Sequence, residues 1–247
     1  MSEFLIYGFH SVKEAIEAGR ALEKIMIRQD MSPDRAMELR RLAQEIDVPL
    51  QMVPEIKLNK VTKNGNHQGV VAVMPVMPYQ PLEETLLRIQ DTGETPLLLM
   101  LDGVTDVRNF GAIARSAECL GVHAIIVPTQ GSASMSADAV KVSAGALSHI
   151  TVCRVKDLVD ATLLLQAYGI KTYGLNEKAN ATLWQTDLTE AACLVMGSEE
   201  NGISPRLIRR VDELVQIPLR GKVGSLNVSV AAGIALAEVE RQRMTAS

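Results

Sequence analysis

Residues 97–101 read LLLML, five apolar side chains in a row, and similar short runs follow at Ala124–Val127, Thr172–Leu175, Ala192–Met196 and Leu214–Ile217. A half-exposed strand alternates polar and apolar residues, whereas an unbroken apolar run suits a strand covered on both faces. Helical patterns separate the runs, near Phe110–Leu120, Asp138–Ser143, Asp157–Tyr168 and Asn227–Arg243. Strand then helix, repeated, specifies a doubly wound α/β unit with a parallel sheet. Ligands of such sheets bind at the carboxyl ends of the strands.

Upstream, residues 74–81 (MPVMPYQP) hold three prolines in eight positions. Proline fixes φ and lacks an amide donor, so the segment resists helix and central strand and suits an extended linker. The expected division is residues 1–75, a linker with a leading helix over 76–95, and residues 96–247. In the first part Ser11–Ala18 and Pro33–Ile46 read as helices, and Lys24–Arg28, Leu50–Val53 and Val70–Val73 as strands. That makes a small α/β layer domain. Residues 57–69, KLNKVTKNGNHQG, carry Lys57, Lys60 and Lys63 with no acidic residue and read as a solvated loop.

Three segments each follow an apolar run, as loops at one rim of the sheet would. In residues 101–122 Ile113, Ala117 and Leu120 share a helical face, and Arg115 sits about 200° from Ile113, away from it. Asn109 lies where that helix begins and is a candidate cap. Residues 194–204, LVMGSEENGIS, place Gly197 and Glu199 just past a strand. Glycine there permits a sharp turn or a close approach to a ligand. Residues 217–238 set Gly221 and Gly224 around a short loop, then Ser225, Asn227 and Ser229 at the start of a helix with small residues Ala231, Ala232, Gly233 and Ala235. Ser225 and Asn227 are candidate caps as well as candidate ligand groups.

Several classes are excluded. Neither GxGxxG nor GxxxxGK[ST] occurs, which removes the ordinary dinucleotide and P-loop sites and leaves a small-molecule dehydrogenase unsupported. Cys119, Cys153 and Cys193 lack CxxC spacing and are expected to pack as small apolar residues. The four histidines show no ligand spacing with carboxylates, so no metal is expected. No run approaches the roughly 20 apolar residues of a membrane span. The opening MSEFLIYGFHSVKEA has neither a basic flank nor a long apolar core, so no secretory leader is expected and a cytoplasmic setting is. The net charge of −4 argues against a histone-like electrostatic binder. Positive charge is local, in the lysines at 57–63 and in residues 203–222. There Arg206, Arg209, Arg210, Arg220 and Lys222 face two acids, net +3. With 3% aromatic residues, recognition through many stacked bases is not expected.

At these residues the chain resembles the SpoU family of RNA ribose 2′-O-methyltransferases, within the SPOUT group. All three family motifs occur in order across the second part. IYGFHSVKEAI (6–16) and HQGVVA (67–72) resemble the substrate-binding domain of the branch that methylates a guanosine in 23S ribosomal RNA. The resemblance implies an α/β SPOUT-type parallel sheet with a trefoil knot near its carboxyl end, a small N-terminal α/β RNA-binding domain, and a homodimer. It implies S-adenosylmethionine held around Gly197, Ile217 and Leu226, with catalytic positions at Asn109, Arg115, Glu199, Ser225 and Asn227. Lys57, Lys60, Lys63, Arg206 and Arg209 are then the candidate RNA contacts. Arg115, which stays protonated, is expected to bind the target phosphate and polarise the 2′-hydroxyl rather than act as a base. Transfer RNA as substrate, or a non-catalytic RNA-binding assembly protein, are the readings that compete with this one.

Overall fold

The computed structural model describes residues 4–246. Two compact units divide the chain: Met1–Pro78 with Ser134–Ala137, and Tyr79–Ala133 with Asp138–Ser247.

The first unit runs β1 (Phe4–Tyr7), α1 (Phe9–Glu17), β2 (Lys24–Arg28), α2 (Pro33–Glu45), β3 (Leu50–Val53), α3 (Glu55–Thr62) and β4 (Val70–Met74). Its sheet has the order β1-β4-β2-β3, with β4 antiparallel to β1 and β2 and β2 parallel to β3. Period-two alternation assigns the two faces. Val70 and Ala72 join Ile25 and Ile27 against Phe9, Val12, Leu39 and Leu42 from α1 and α2. Val71 and Val73 join Met26 and Leu58 on the other side, under α3.

Helix α3 corrects the sequence reading of a loop from residue 57. Lys57 and Lys60 lie on a helix, and Lys63 ends it in left-handed geometry at φ 53°. Pro54 stands at the N-cap, and Glu55 in the first turn and Lys60 in the last both complement the helix dipole. One fully buried side chain, Leu58, ties the helix down. A single apolar anchor among lysines and asparagines leaves little periodicity to detect.

The second unit runs α4 (Leu82–Thr92), β5 (Leu97–Leu101), α5 (Val107–Cys119), β6 (Ala124–Pro128), α6 (Ala137–Val142), β7 (Thr151–Val155), α7 (Leu158–Ala167), β8 (Lys171–Leu175), β9 (Ala181–Thr182), β10 (Ala192–Met196), α8 (Pro205–Ile208), β11 (Glu213–Gln216) and α9 (Val228–Ala246). Seven strands make one sheet, ordered β7-β6-β5-β10-β8-β11-β9, with every recorded pairing parallel. The apolar runs are buried along β5, β6 and β10. Strands β7 and β9 were not read from the sequence. Residues 151–155, TVCRV, sit at the sheet edge with only the middle of the strand covered.

The last turns of α9 are stapled to the starts of two central strands. Arg243 donates to the carbonyls of Thr95, Pro96 and Glu190 at 2.8–2.9 Å. Gln242 accepts from the Leu188 amide at 2.9 Å and donates to the Thr186 carbonyl at 3.0 Å. Cys153 and Cys193 are buried, and desolvation pushes both thiols up, which keeps them protonated and inert. Cys119 departs from expectation: it is exposed, since it ends α5 on the side away from Ile113 and Ala117. No helix among the described residues is long and apolar enough to cross a membrane.

Candidate active site

Chain order and sheet order diverge between β5 and β10. From β5 the strands step outward through β6 and β7, whereas β10 leads away through β8 to β11. Loops leaving adjacent strands at such a point turn in opposite directions and open a crevice between them. Here the two loops are cross-linked. The Asp102 amide donates to the Met196 carbonyl at 2.8 Å, and the Asp102 carboxylate accepts from the Ser204 amide at 2.7 Å.

The loop after β10 is closed on itself. Ser198 and Gly202 exchange two backbone hydrogen bonds, at 3.0 and 2.9 Å, so the chain folds back across Gly197. A Cβ on Gly197 would stand 2.0 Å from the Gly202 carbonyl carbon and 2.1 Å from the Ile203 nitrogen. Glycine is therefore required by steric exclusion; its φ is not in the left-handed region.

Asn227 joins the three sequence segments. Its Oδ1 accepts from the Ser229 amide at 3.0 Å and from the Ser229 hydroxyl, capping α9. Its Nδ2 donates both to Asn109 Oδ1 at 2.9 Å and to Glu199 Oε1. Cap and site residue are thus the same side chain, with both amide protons spent on orienting its neighbours. Glu199 also receives the Val228 amide at 3.4 Å.

Asn109 is not the cap of α5. Asp106 holds that place and accepts from the amides of Arg108 at 2.7 Å and Asn109 at 3.0 Å. A carboxylate facing the positive end of a helix outcompetes a neutral amide two residues inside the first turn. The Asn109 side chain is thereby left for Asn227.

Beside this cluster is a cavity of about 430 Å³, within the range of small-molecule sites. Gly197, Ile217 and Leu226 line it, as do Ser225 and Glu199. Leu175, Asn176, Glu177 and Lys178 complete one wall. Asn176, Glu177 and Lys178 were missed in the sequence, although they follow the apolar run Thr172–Leu175 and so lie at the carboxyl end of β8. The donor set fits a sulfonium nucleoside: apolar side chains of Leu175, Met196, Ile217, Leu219 and Leu226 for an aromatic base, and Glu177, Glu199 and Glu200 to offset positive charge. At Gly224 nothing stands within 4 Å of where a Cβ would be, so the backbone of the third segment is open to a ligand. No group of three or more possible metal ligands occurs among the described residues.

Not every candidate is brought to the cluster. Arg115 is exposed and makes no hydrogen bond or ion pair among the described residues. It lies six residues beyond Asn109 on α5, about 120° around the axis from it, so the two cannot share a face. Arg206 forms an ion pair with Asp157 at 2.7 Å, while Arg209 is exposed. Lys57, Lys60 and Lys63 are exposed in the first unit.

The family model described as SpoU rRNA Methylase matches residues 96–237. The model described as RNA 2′-O ribose methyltransferase substrate binding matches residues 5–80. The 23S rRNA (guanosine-2′-O-)-methyltransferase RlmB of Photorhabdus laumondii is 40% identical, over 98% of this chain and 99% of that protein. Its counterpart in Escherichia coli K12 is 39% identical over 98% of this chain and all of that one. Among solved structures, the SpoU methyltransferase AviRb of Streptomyces viridochromogenes, in complex with the cofactor AdoMet, superposes with a TM-score of 0.62 at 28% identity, covering 99% of this chain and 92% of that one.

Proposed function

The chain belongs to the SpoU rRNA methylase family, and from that premise we propose that it transfers a methyl group from S-adenosylmethionine to a ribose 2′-hydroxyl, that of a guanosine in 23S rRNA. The observation that carries the reading is the Asn109–Asn227–Glu199 contact, which joins the segments after β5 and β10 beside the cavity. Residues 1–75 hold RNA, residues 96–247 carry out the chemistry, and 76–95 join them. The setting is the cytoplasm, where ribosomal RNA is assembled.

When bound, the cofactor supplies an electrophilic methyl group on a sulfonium. The protein's task is to align a hydroxyl with it and help that hydroxyl lose its proton, and alignment can supply much of the rate. Asn227 fixes the Glu199 carboxylate and the Asn109 amide relative to one another. Glu199 also faces the cavity, where its charge favours a cation. Ser225 lines the same wall and orients the hydroxyl and the cofactor loop.

Arg115 cannot join this cluster from its place on α5, and a homodimer supplies the solution: the Arg115 of one copy serves the site of the other. There the guanidinium holds the target phosphate and polarises the 2′-hydroxyl. The small residues of α9 are used within the chain: Gly233 lies against Ser116 of α5, and Ala232 and Ala235 are fully buried. A trefoil knot is the accompanying expectation. Strand β11 lies beyond β8, on the side of β10 away from β5, yet α9, which follows it, packs on α5. The segment 217–227 must therefore cross back over the sheet's rim.

The direct test is methyl transfer from labelled S-adenosylmethionine to unmodified 23S rRNA and to bulk transfer RNA, with 2′-O-methyl mapping. Label on one guanosine ribose of 23S rRNA is expected. Label on transfer RNA would discard the substrate, and binding of cofactor without transfer to naked RNA or ribosomal particles would discard the activity.

The lysines of α3 give a separate expectation. Replacing Lys57, Lys60 and Lys63 together with Gln should reduce the magnitude of the log–log salt slope of RNA binding by about 2, near 0.7 per lost phosphate contact. Fluorescence anisotropy at several salt concentrations measures it, and an unchanged slope removes these lysines from the interface.

A further inference from the structure

Among the described aromatic side chains, few are widely open to solvent. Among the described residues the two most exposed are Trp184 and Tyr7, and Tyr7 lies in the first unit with 41% of its surface open. It ends β1, next to Gly8, and its hydroxyl makes no hydrogen bond among the described residues. The hydroxyl end of the ring rests on the backbone at Gly65, where a Cβ would come within 3.2 Å of both Cζ and Oη. The tip of the ring is thus backed by glycine, and part of the ring is open to solvent.

The chain around it holds an unusual shape. Lys63, Asn64 and Gln68 all adopt positive φ, at 53°, 62° and 49°, and Gly8 and Gly69 do so at 95° and 81°. Left-handed lysine and glutamine are uncommon, and persist only where the surroundings hold them. His67 is the peg. It is 5% exposed, its Nδ1 accepts from the Gly69 amide at 3.0 Å, and its Nε2 donates to Asn59 Oδ1 at 2.9 Å. With His67 pinned inside, Asn64, Asn66 and Gln68 are left exposed. The Gln68 carboxamide lies over Gly8, its Oε1 3.6 Å from where a Cβ would be.

We propose that Tyr7 is a stacking platform for one unpaired base of the RNA, and that the carboxamides of Asn64 and Gln68 bond the edge of that base. The inference rests on the reading that this chain acts on RNA. A paired base has both faces covered by its neighbours, so an open ring backed by glycine selects a base that has left its helix. Carboxamides carry donor and acceptor side by side, which matches base edges. Lys60 and Lys63, at the end of α3, supply charge for the flanking phosphates, and residues 57–69 contain no carboxylate to repel them.

The test compares binding of an unmodified 23S rRNA transcript with binding of a fully paired RNA duplex. Tyr7→Leu should weaken binding to the transcript about tenfold. Tyr7→Phe should stay within about twofold, because the ring remains. Salt slope, duplex affinity and cofactor affinity should not move in either variant. In a Trp184→Phe background, Tyr7→Trp should show fluorescence quenched by the transcript and not by the duplex. Wild-type affinity in Tyr7→Leu, or equal losses on transcript and duplex, overturns the platform while leaving the methyltransferase reading intact. A wild-type chain that binds and methylates no RNA removes both.

Discussion

Gly197→Ala is expected to abolish productive cofactor binding and to lower stability by about 3 kcal/mol, the upper part of the range for overpacking. The new methyl would meet backbone, not a flexible side chain: Gly202 C at 2.0 Å and Ile203 N at 2.1 Å. Neither can retreat alone. The Ser198–Gly202 bonds and the Ser204–Asp102 bond hold the loop, and Ile203 and Leu207 are packed in the core behind it. Relief must come from opening residues 197–203, which also form a wall of the cavity. At roughly 2–4 °C per kcal/mol for a chain of this size, the melting temperature should drop by about 6–12 °C. Calorimetric affinity for S-adenosylmethionine should fall by about 100-fold or more. Gly221→Ala is the control: its nearest neighbour would be Val223 N at 4.0 Å, so both readouts should stay put. A Gly197→Ala protein with unaltered melting and affinity would show that the loop does not fold back across this residue.

The second large effect concerns Arg115. Arg115→Ala should reduce turnover at saturating RNA by about 10³-fold, as expected when a charged group aimed at the reacting centre is lost. Cofactor affinity should not change, because Arg115 does not line the cavity. Arg115→Lys should recover only part of the loss, since an ammonium lacks the planar fork that grips a phosphate while polarising a hydroxyl. Near-normal turnover in the lysine variant would remove both roles. Mixing two inactive variants tests where the residue acts. If Arg115 serves the partner's site, random dimers of Arg115→Ala with Glu199→Ala contain one intact site in every heterodimer. About a quarter of wild-type turnover should then return. No recovery would place Arg115 in the site of its own chain.

What could be read in advance follows from how locally each feature is encoded. Strands β5 and β10 were legible because burial on both faces demands unbroken apolar runs, and Leu97–Leu101 and Ala192–Met196 are such runs. The edge strand β7 was not, because only Val152 and Cys153 at its middle are buried, too short an apolar run to stand out. Helix α3 was hidden because Leu58 alone anchors it. At the site, Asn227 was visible as a cap, but its bridge to Asn109 and Glu199 spans 118 and 28 residues, which no local pattern encodes. Asp106 was overlooked in favour of Asn109 for the opposite reason: two good capping residues stood three apart, and only the fold decides which one sits outside the first turn. The wall at Leu175–Lys178 needed the strand order, since those residues carry no motif of their own.

The staple at Arg243 also sets a timetable. The carbonyls it holds, at Thr95, Pro96 and Glu190, are synthesised long before their partner. All four strands of the first sheet, by contrast, are complete once Met74 has been made. At synthesis rates of about 5–20 residues per second, roughly 10–30 s separate the two events. Each newborn chain therefore passes through an interval in which its first sheet is already paired while the far end of the second unit is still untied. Translation speed, and not only sequence, governs how long those central strand ends wait.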